Sequence, residues 1–199
     1  MAEPRFFNRW GIEGIEVTDA GLKSFITISP KIVPKTDARY AKNRFHKSKI
    51  SIVERLINRL QVPGHRGKKH KLTSGHATGK MYNTYKSVEN AFEIIEQKTG
   101  KNPVYVFVKA IENSAPREEI VTIEYGGARY PKAVECSPQR RVDLVLRNLV
   151  IGAYNKSFSS RKSLAETLAE EILSAYNQNQ AAFAVAKKVE LEKQADASR

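Results

Sequence analysis

Between Arg55 and Val88 the chain places eight Lys or Arg residues and no Asp or Glu: Arg55, Arg59, Arg66, Lys68, Lys69, Lys71, Lys80 and Lys86. His65, His70 and His76 lie in the same stretch. Fixed cations at this density repel one another unless an anion runs beside them, and a nucleic-acid backbone is such an anion. Other chemistries fit less well. The three histidines with Cys136 are metal-ligand types, but their spacing matches no zinc finger or ribbon. Gly64-His65-Arg66-Gly67-Lys68-Lys69 has a phosphate-loop flavour, yet it lacks the G-x-x-x-x-G-K-[ST] order and no strand precedes it. Its glycines suit a loop that approaches RNA phosphates closely. Glu13, Glu16, Asp19, Glu54 and Glu89 form no metal or general acid–base group. No catalytic residue, metal site or cofactor is expected.

The chain has 199 residues and a net charge of +13, with a pI near 9.8. Hydrophobic residues make up 41%, enough for a packed core, so this is not a disordered basic tail. The single cysteine excludes an internal disulfide and fits a reducing compartment. No apolar run reaches about 18 residues, and Met1 to Trp10 lacks a signal-peptide stretch. A soluble intracellular nucleic-acid-binding protein is the expectation.

The elements that must position the bases follow from periodicity. Residues Phe6 to Ser29 read as an irregular extension with one or two short strands. Lys31 to Lys49 holds seven bases against Asp37, and Pro30 and Pro34 argue against regular structure, which predicts a basic arm. Ser51 and Glu54 have capping-box spacing. Val53, Leu56, Ile57 and Leu60 then form a helical stripe that stops at Pro63-Gly64. A basic loop to Gly79 leads to a second helix on Met81, Tyr85, Val88, Phe92 and Ile95, closed by Gly100. Asn102-Pro103 opens a third helix, although Val104 to Val108 has strand propensity. Ser137-Pro138 opens a fourth, with Val142, Val145, Leu146, Leu149, Val150 and Ala153 inward; Ser163 and Glu166 cap a fifth. A last helix near Gln180 to Gln194 has a weak stripe and is expected to project and fray.

From Glu119 to Cys136 the period changes to two, with Gly126-Gly127 between Val121, Ile123, Tyr125 and Tyr130, Lys132, Val134. This is a β-hairpin pattern. Arg129, Tyr130 and Lys132 are placed to contact an A-form groove, and Arg140 and Arg141 begin the next helix, whose positive end favours phosphate. The fold class is mainly α: a bundle of five to six helices with a protruding hairpin between the third and fourth. The expected division is residues 1–47 as extension and arm, 48–177 as core, and 178–199 as helical tail.

Several passages in this order resemble one family. They are Ser51 to Leu60 followed by Gly67-Lys68-Lys69, Tyr85 to Phe92, Ala110 to Arg117, and Gly126 to Pro131 followed by Pro138-Gln139-Arg140-Arg141. The chain resembles, from about Phe6 to Asn177, the universal ribosomal protein seven of the small subunit, in its archaeal and eukaryotic form. The residues from Gln178 match least well. The resemblance implies a structural protein that binds the 3′ major (head) domain of 16S rRNA, nucleates head assembly and lies near exit-site tRNA and the mRNA exit channel. Charge and resemblance together give an expected rRNA-binding set. It comprises Lys35, Arg39, Lys42, Arg44, Lys47 and Lys49 of the arm, and Arg66, Gly67, Lys68, Lys69, Lys71 and Lys80 of the loop. Arg129, Lys132, Arg140, Arg141 and Arg147 complete it. The hairpin tip, Gly126, Gly127, Ala128, Arg129 and Tyr130, is expected near the exit site. Implied partners are the rRNA, exit-site tRNA, mRNA and other small-subunit proteins, including ribosomal protein eleven. The alternatives are a DNA-binding architectural or regulatory protein, for which no helix-turn-helix is marked, and an RNA-modifying or RNA-cleaving enzyme, for which no residue set is present.

Overall fold

A computed structural model describes residues 4–31, 33–37, 39, 41–66, 69–70 and 79–199. The helical periods read from the sequence become buried faces. Val53, Leu56, Ile57 and Leu60 are fully buried on α2 (Ile52–Leu60). Val88, Phe92 and Ile95 are buried on α3 (Met81–Thr99). Gly100 ends that helix in the left-handed region at φ 65°, and its N–H donates to Glu96 O at 2.7 Å. Before α2 lies a four-residue turn, α1 (Ala20–Lys23), that no periodicity marked. Two-residue strands β1 (His65–Arg66) and β2 (Lys69–His70) pair antiparallel inside the stretch expected as loop.

The segment with strand propensity is helical: α4 spans Pro103–Ser114, and Asn102 Oδ1 accepts from Val104 N at 3.0 Å. A first-turn proline and a capping side chain pre-set this helix. Burial on both sides of α4 then accommodates the β-branched run. Strands β3 (Glu118–Tyr125) and β4 (Ala128–Glu135) form the hairpin, with Ile123 opposite Tyr130 and Val121 opposite Lys132. Gly126 (φ 58°) and Gly127 (φ 82°) make its two-residue turn, whose positive φ angles match the strand twist. Then come α5 (Pro138–Ser157), α6 (Leu164–Tyr176) and α7 (Phe183–Asp196). The Ser163–Glu166 capping box on α6 is present in both directions. With α1 counted, seven α-helices are described, and the hairpin lies between α4 and α5.

Three expectations are corrected. Ser51 and Glu54 do not form a capping box: Ser51 makes no side-chain cap. Glu54 Oε1 instead accepts from Thr36 N and Oγ1, both at 2.7 Å. The arm folds over the first turn of α2 and supplies the donors that the buried carboxylate needs. Second, α7 does not project. Its Ala184, Val185 and Ala195 are buried, and it lies against α5 and β3. Alanines allow close helix approach while barely registering as a hydrophobic stripe. Lys188 Nζ donates to Asn113 O at 2.9 Å, Glu192 accepts from Arg117 N at 3.0 Å, and Arg199 pairs with Glu118, which ties the last helix to the hairpin base. Third, the N-terminal extension is core. Phe6, Phe7, Trp10, Leu22 and Ile26 join the same apolar cluster as the helices. The rings of Phe7 and Trp10 each meet Phe92 at 5.9 Å. The expected short strands reduce to isolated bridges, Phe6 with Trp10 and Thr27 with Ser51. Among the described residues no helix is long and apolar enough to cross a membrane.

Candidate nucleic-acid interface

The end of the arm, the second half of α2 and the first turns of α5 form a groove of two adjoining pockets that share His46 and Asp143. One is lined by Lys47, Arg55 and Arg59, the other by Arg44, Arg140 and Arg147, and Asp143 is the single carboxylate among the described residues that line them. Asp143 is already occupied. Its carboxylate takes Arg55 Nη2 at 3.0 Å and Lys47 Nζ at 3.2 Å. Arg55 also donates to Phe25 O at 3.0 Å, so it braces the arm against α2 and α5. Burial pulls the Arg55 pKa down, and Asp143 opposes that.

Beyond this brace, Arg59 and Arg147 enter no ion pair among the described residues. Burial first and the nearby Arg147 second press the Arg59 pKa down, with Asp143 the weaker opposing influence. Arg59 Nε is buried and has no hydrogen-bond partner among the described residues. Two guanidinium groups that repel each other, one with an idle donor, form a place where an oxyanion is favoured.

Arg140 and Arg141, neighbours in sequence, are turned apart by the helical period. Arg140 lines the groove and its Nε sits 2.6–2.7 Å from the Glu119 carboxylate oxygens. Arg141 is buried: Nε donates to Pro116 O at 3.0 Å and Nη2 to Asp19 Oδ2 at 2.8 Å. The expectation that both face RNA therefore does not carry through to Arg141, whose guanidinium is committed inside the protein. Beside Arg140, burial and then Glu119 push the Cys136 thiol up to about 11.

Of the remaining expected bases, Lys35 is exposed and pairs with Asp37 at 3.2 Å. Arg39, Lys42, Lys49 and Lys80 are exposed and enter no ion pair among the described residues. Arg66 and Lys69 are opposed across β1 and β2, while Gly67, Lys68, Lys71 and His76 lie outside the described residues. Among the described residues no group of His, Cys, Asp and Glu could hold a metal ion.

The hairpin differs in character from the groove. From Glu118 to Glu135 it holds four acids (Glu118, Glu119, Glu124, Glu135) and two bases (Arg129, Lys132), a net of −2. Arg129 Nε faces Glu124 across the strands at 3.5 Å. Val121, Ile123, Tyr125 and Tyr130 share one exposed face by the strand register. Its outer part, with Gly126, Gly127 and Ala128 at the tip, offers aromatic and aliphatic surface more than charge.

Sequence reasoning passed over Phe45, His46 and Arg59 as groove residues. The available signal was an aromatic residue inside a basic run, Arg44-Phe45-His46-Lys47.

The family model described as "Ribosomal protein S7p/S5e" matches residues 23–199, so the match runs through the tail that the sequence reading placed outside it. The chain is similar to three curated proteins named "Small ribosomal subunit protein uS7". It is 54% identical to that of Nanoarchaeum equitans over 98% of each chain. It is 45% identical to that of Archaeoglobus fulgidus over 97% of this chain and 94% of the relative. It is 41% identical to that of Methanococcoides burtonii over 98% and 99%. A helical bundle with a protruding hairpin, a cationic groove and similarity along nearly the whole length agree: the chain belongs to the S7p/S5e family of ribosomal proteins, structural and non-enzymatic constituents of the small ribosomal subunit.

Proposed function

We propose that the groove between the arm, α2 and α5 docks this chain on the 3′ major domain of 16S rRNA, and that this docking nucleates assembly of the subunit head in the cytoplasm. The observation that carries the reading is the set of bases lining the groove, Arg44, Lys47, Arg59, Arg140 and Arg147, beside a single carboxylate among the described lining residues, Asp143, that is already paired. Arg44, Lys47 and Arg140 extend the groove, and Lys35, Arg39, Lys42, Lys49, Lys80 and the Arg66–Lys71 stretch add charge around it. Arg141 is left out of the RNA-binding set, since it is buried with Nε on Pro116 O and Nη2 on Asp19.

The hairpin extends the reading. Its tip, residues 126–130, lies near exit-site tRNA and the mRNA exit channel, with contacts through exposed aromatic surface. Neighbouring small-subunit proteins, ribosomal protein eleven among them, border the α7 side. Competition binding at fixed salt tests the core of this proposal. The rRNA 3′ major domain is set against duplex DNA and an unrelated structured RNA. Strong preference for the rRNA domain is expected, and equal binding to all three would overturn it.

A further inference from the structure

Phe45 is anomalous as a surface residue. The residue is 52% exposed and stands outside the apolar cluster. Its backbone is left-handed (φ 58°, ψ 21°), a conformation that bulky residues rarely adopt and that persists only where surroundings enforce it. The enforcement is visible. Ser48 N donates to Phe45 O at 3.0 Å and His46 N to Asn43 O at 3.2 Å, while Lys47 is tethered to Asp143. The arm thus holds the ring at the edge of the groove at a cost in backbone strain and exposed apolar area. The Arg44 guanidinium lies over the ring, 4.9 Å from its centroid. Arg147 and Arg140 line the same part of the groove.

Scattered exposed apolar side chains need no explanation. A strained aromatic with an arginine stacked on it, opening onto the Arg147 guanidinium, which enters no ion pair among the described residues, has the parts of a nucleotide site. Unpaired RNA bases stack on aromatic rings and guanidinium planes, and an adjacent arginine takes the phosphate. We infer that the Arg44–Phe45 stack receives one unpaired base of the bound rRNA, with Arg147 holding its flanking phosphate. This inference rests on the rRNA reading and adds a position where the RNA must be single-stranded and unstacked.

The test uses the full-length chain and the 3′ major domain of the rRNA, with Phe45→Ala, Phe45→Trp and Arg147→Ala. Base stacking predicts that Phe45→Ala weakens binding roughly 5- to 100-fold with the salt dependence unchanged. Arg147→Ala weakens it and reduces the salt slope by about 1. Phe45→Trp retains affinity, and its emission is quenched when RNA binds, against a buried and unresponsive Trp10. Ultraviolet crosslinking from residue 45 to one RNA position is expected in the wild type. A wild-type preference for the rRNA domain that Phe45→Ala keeps in full overturns the inference alone. So does an equal loss in the Ala and Trp variants. A wild-type chain without that preference overturns the rRNA reading and this inference with it.

Discussion

Arg141 on α5 and Asp19 ahead of α1 meet at 2.8 Å across 122 residues of chain. The same guanidinium holds the Pro116 carbonyl at the entry to the hairpin. One side chain therefore ties together the N-terminal extension, the α4–β3 junction and the start of α5. Burial raises the Asp19 pKa, but the Arg141 hydrogen bond and charge, the Gly21 amide and Arg117 outweigh it, so the carboxyl is held below its usual range.

Arg141→Ala should destabilise the fold by about 1.5–3 kcal/mol, the range for hydrogen bonds to charged groups. Urea unfolding checks this. RNA affinity at a temperature where the variant is folded should change little. The Asp19 contribution has a definite pH sign. Its folded pKa is depressed, so its stabilisation is present above the unfolded value of 3.8 and is lost as pH falls through the lower folded value. Asp19→Asn should remove that part of the acid sensitivity.

Glu171 behaves in the opposite sense. It is buried in α6, accepts from Phe183 N at 3.0 Å and lies 2.6 Å from Lys156 Nζ. Burial raises its pKa above the usual 4.5, and Lys156 with the Phe183 amide only partly opposes this. A raised carboxyl pKa favours the fold below the unfolded value and loses that contribution as pH rises through the folded value. The stability difference, wild type minus Glu171→Gln, should therefore fall as pH climbs from 4 toward neutrality. Chemical denaturation at a series of pH values would show it, and a flat difference would contradict the assignment.

Gly152 is where α5 admits α7. A Cβ there would stand 2.8 Å from Phe183 Cβ and from Glu171 Cδ. Gly152→Ala should cost about 1–3 kcal/mol, the range for overpacking a tight contact. The loss should appear first as faster hydrogen exchange in residues 183–196, since displacement of α7 relieves the clash.

The cationic groove predicts a separation of stability from binding. Arg147→Gln removes a repulsive partner of Arg59, so unfolding stability should hold or rise slightly while rRNA affinity falls. If about eight phosphates are neutralised by the whole interface, log affinity against log salt should have a slope near −7. Salt-insensitive binding would exclude this electrostatic mechanism.

Much of this was readable in the chain itself. Helix stripes, the Asn102-Pro103 start, the Ser163–Glu166 box and the Gly126-Gly127 turn depend on near neighbours, and each took the form its residues specify. Where a distant segment competes, local reading fails. Glu54 has capping-box spacing, yet Thr36 from the arm takes its carboxylate. The last helix has a faint apolar pattern because its buried residues are mainly alanine, and Phe183 at its start packs where Gly152 of α5 leaves room.

The charge clustering by itself gave the expectation of a polyanionic partner, because clustered bases repel wherever they are placed. Apolar periodicity determined the mainly helical bundle with one hairpin, through periods that any folded state must satisfy. Tertiary structure alone decided which bases are available. Arg140 and Arg141 are adjacent and chemically identical, but helical rotation sends one to the groove and the other onto Asp19. It also brought Phe45 and Arg147 to one pocket and Arg59 to the adjoining one, an arrangement that arises only when the arm, α2 and α5 pack together.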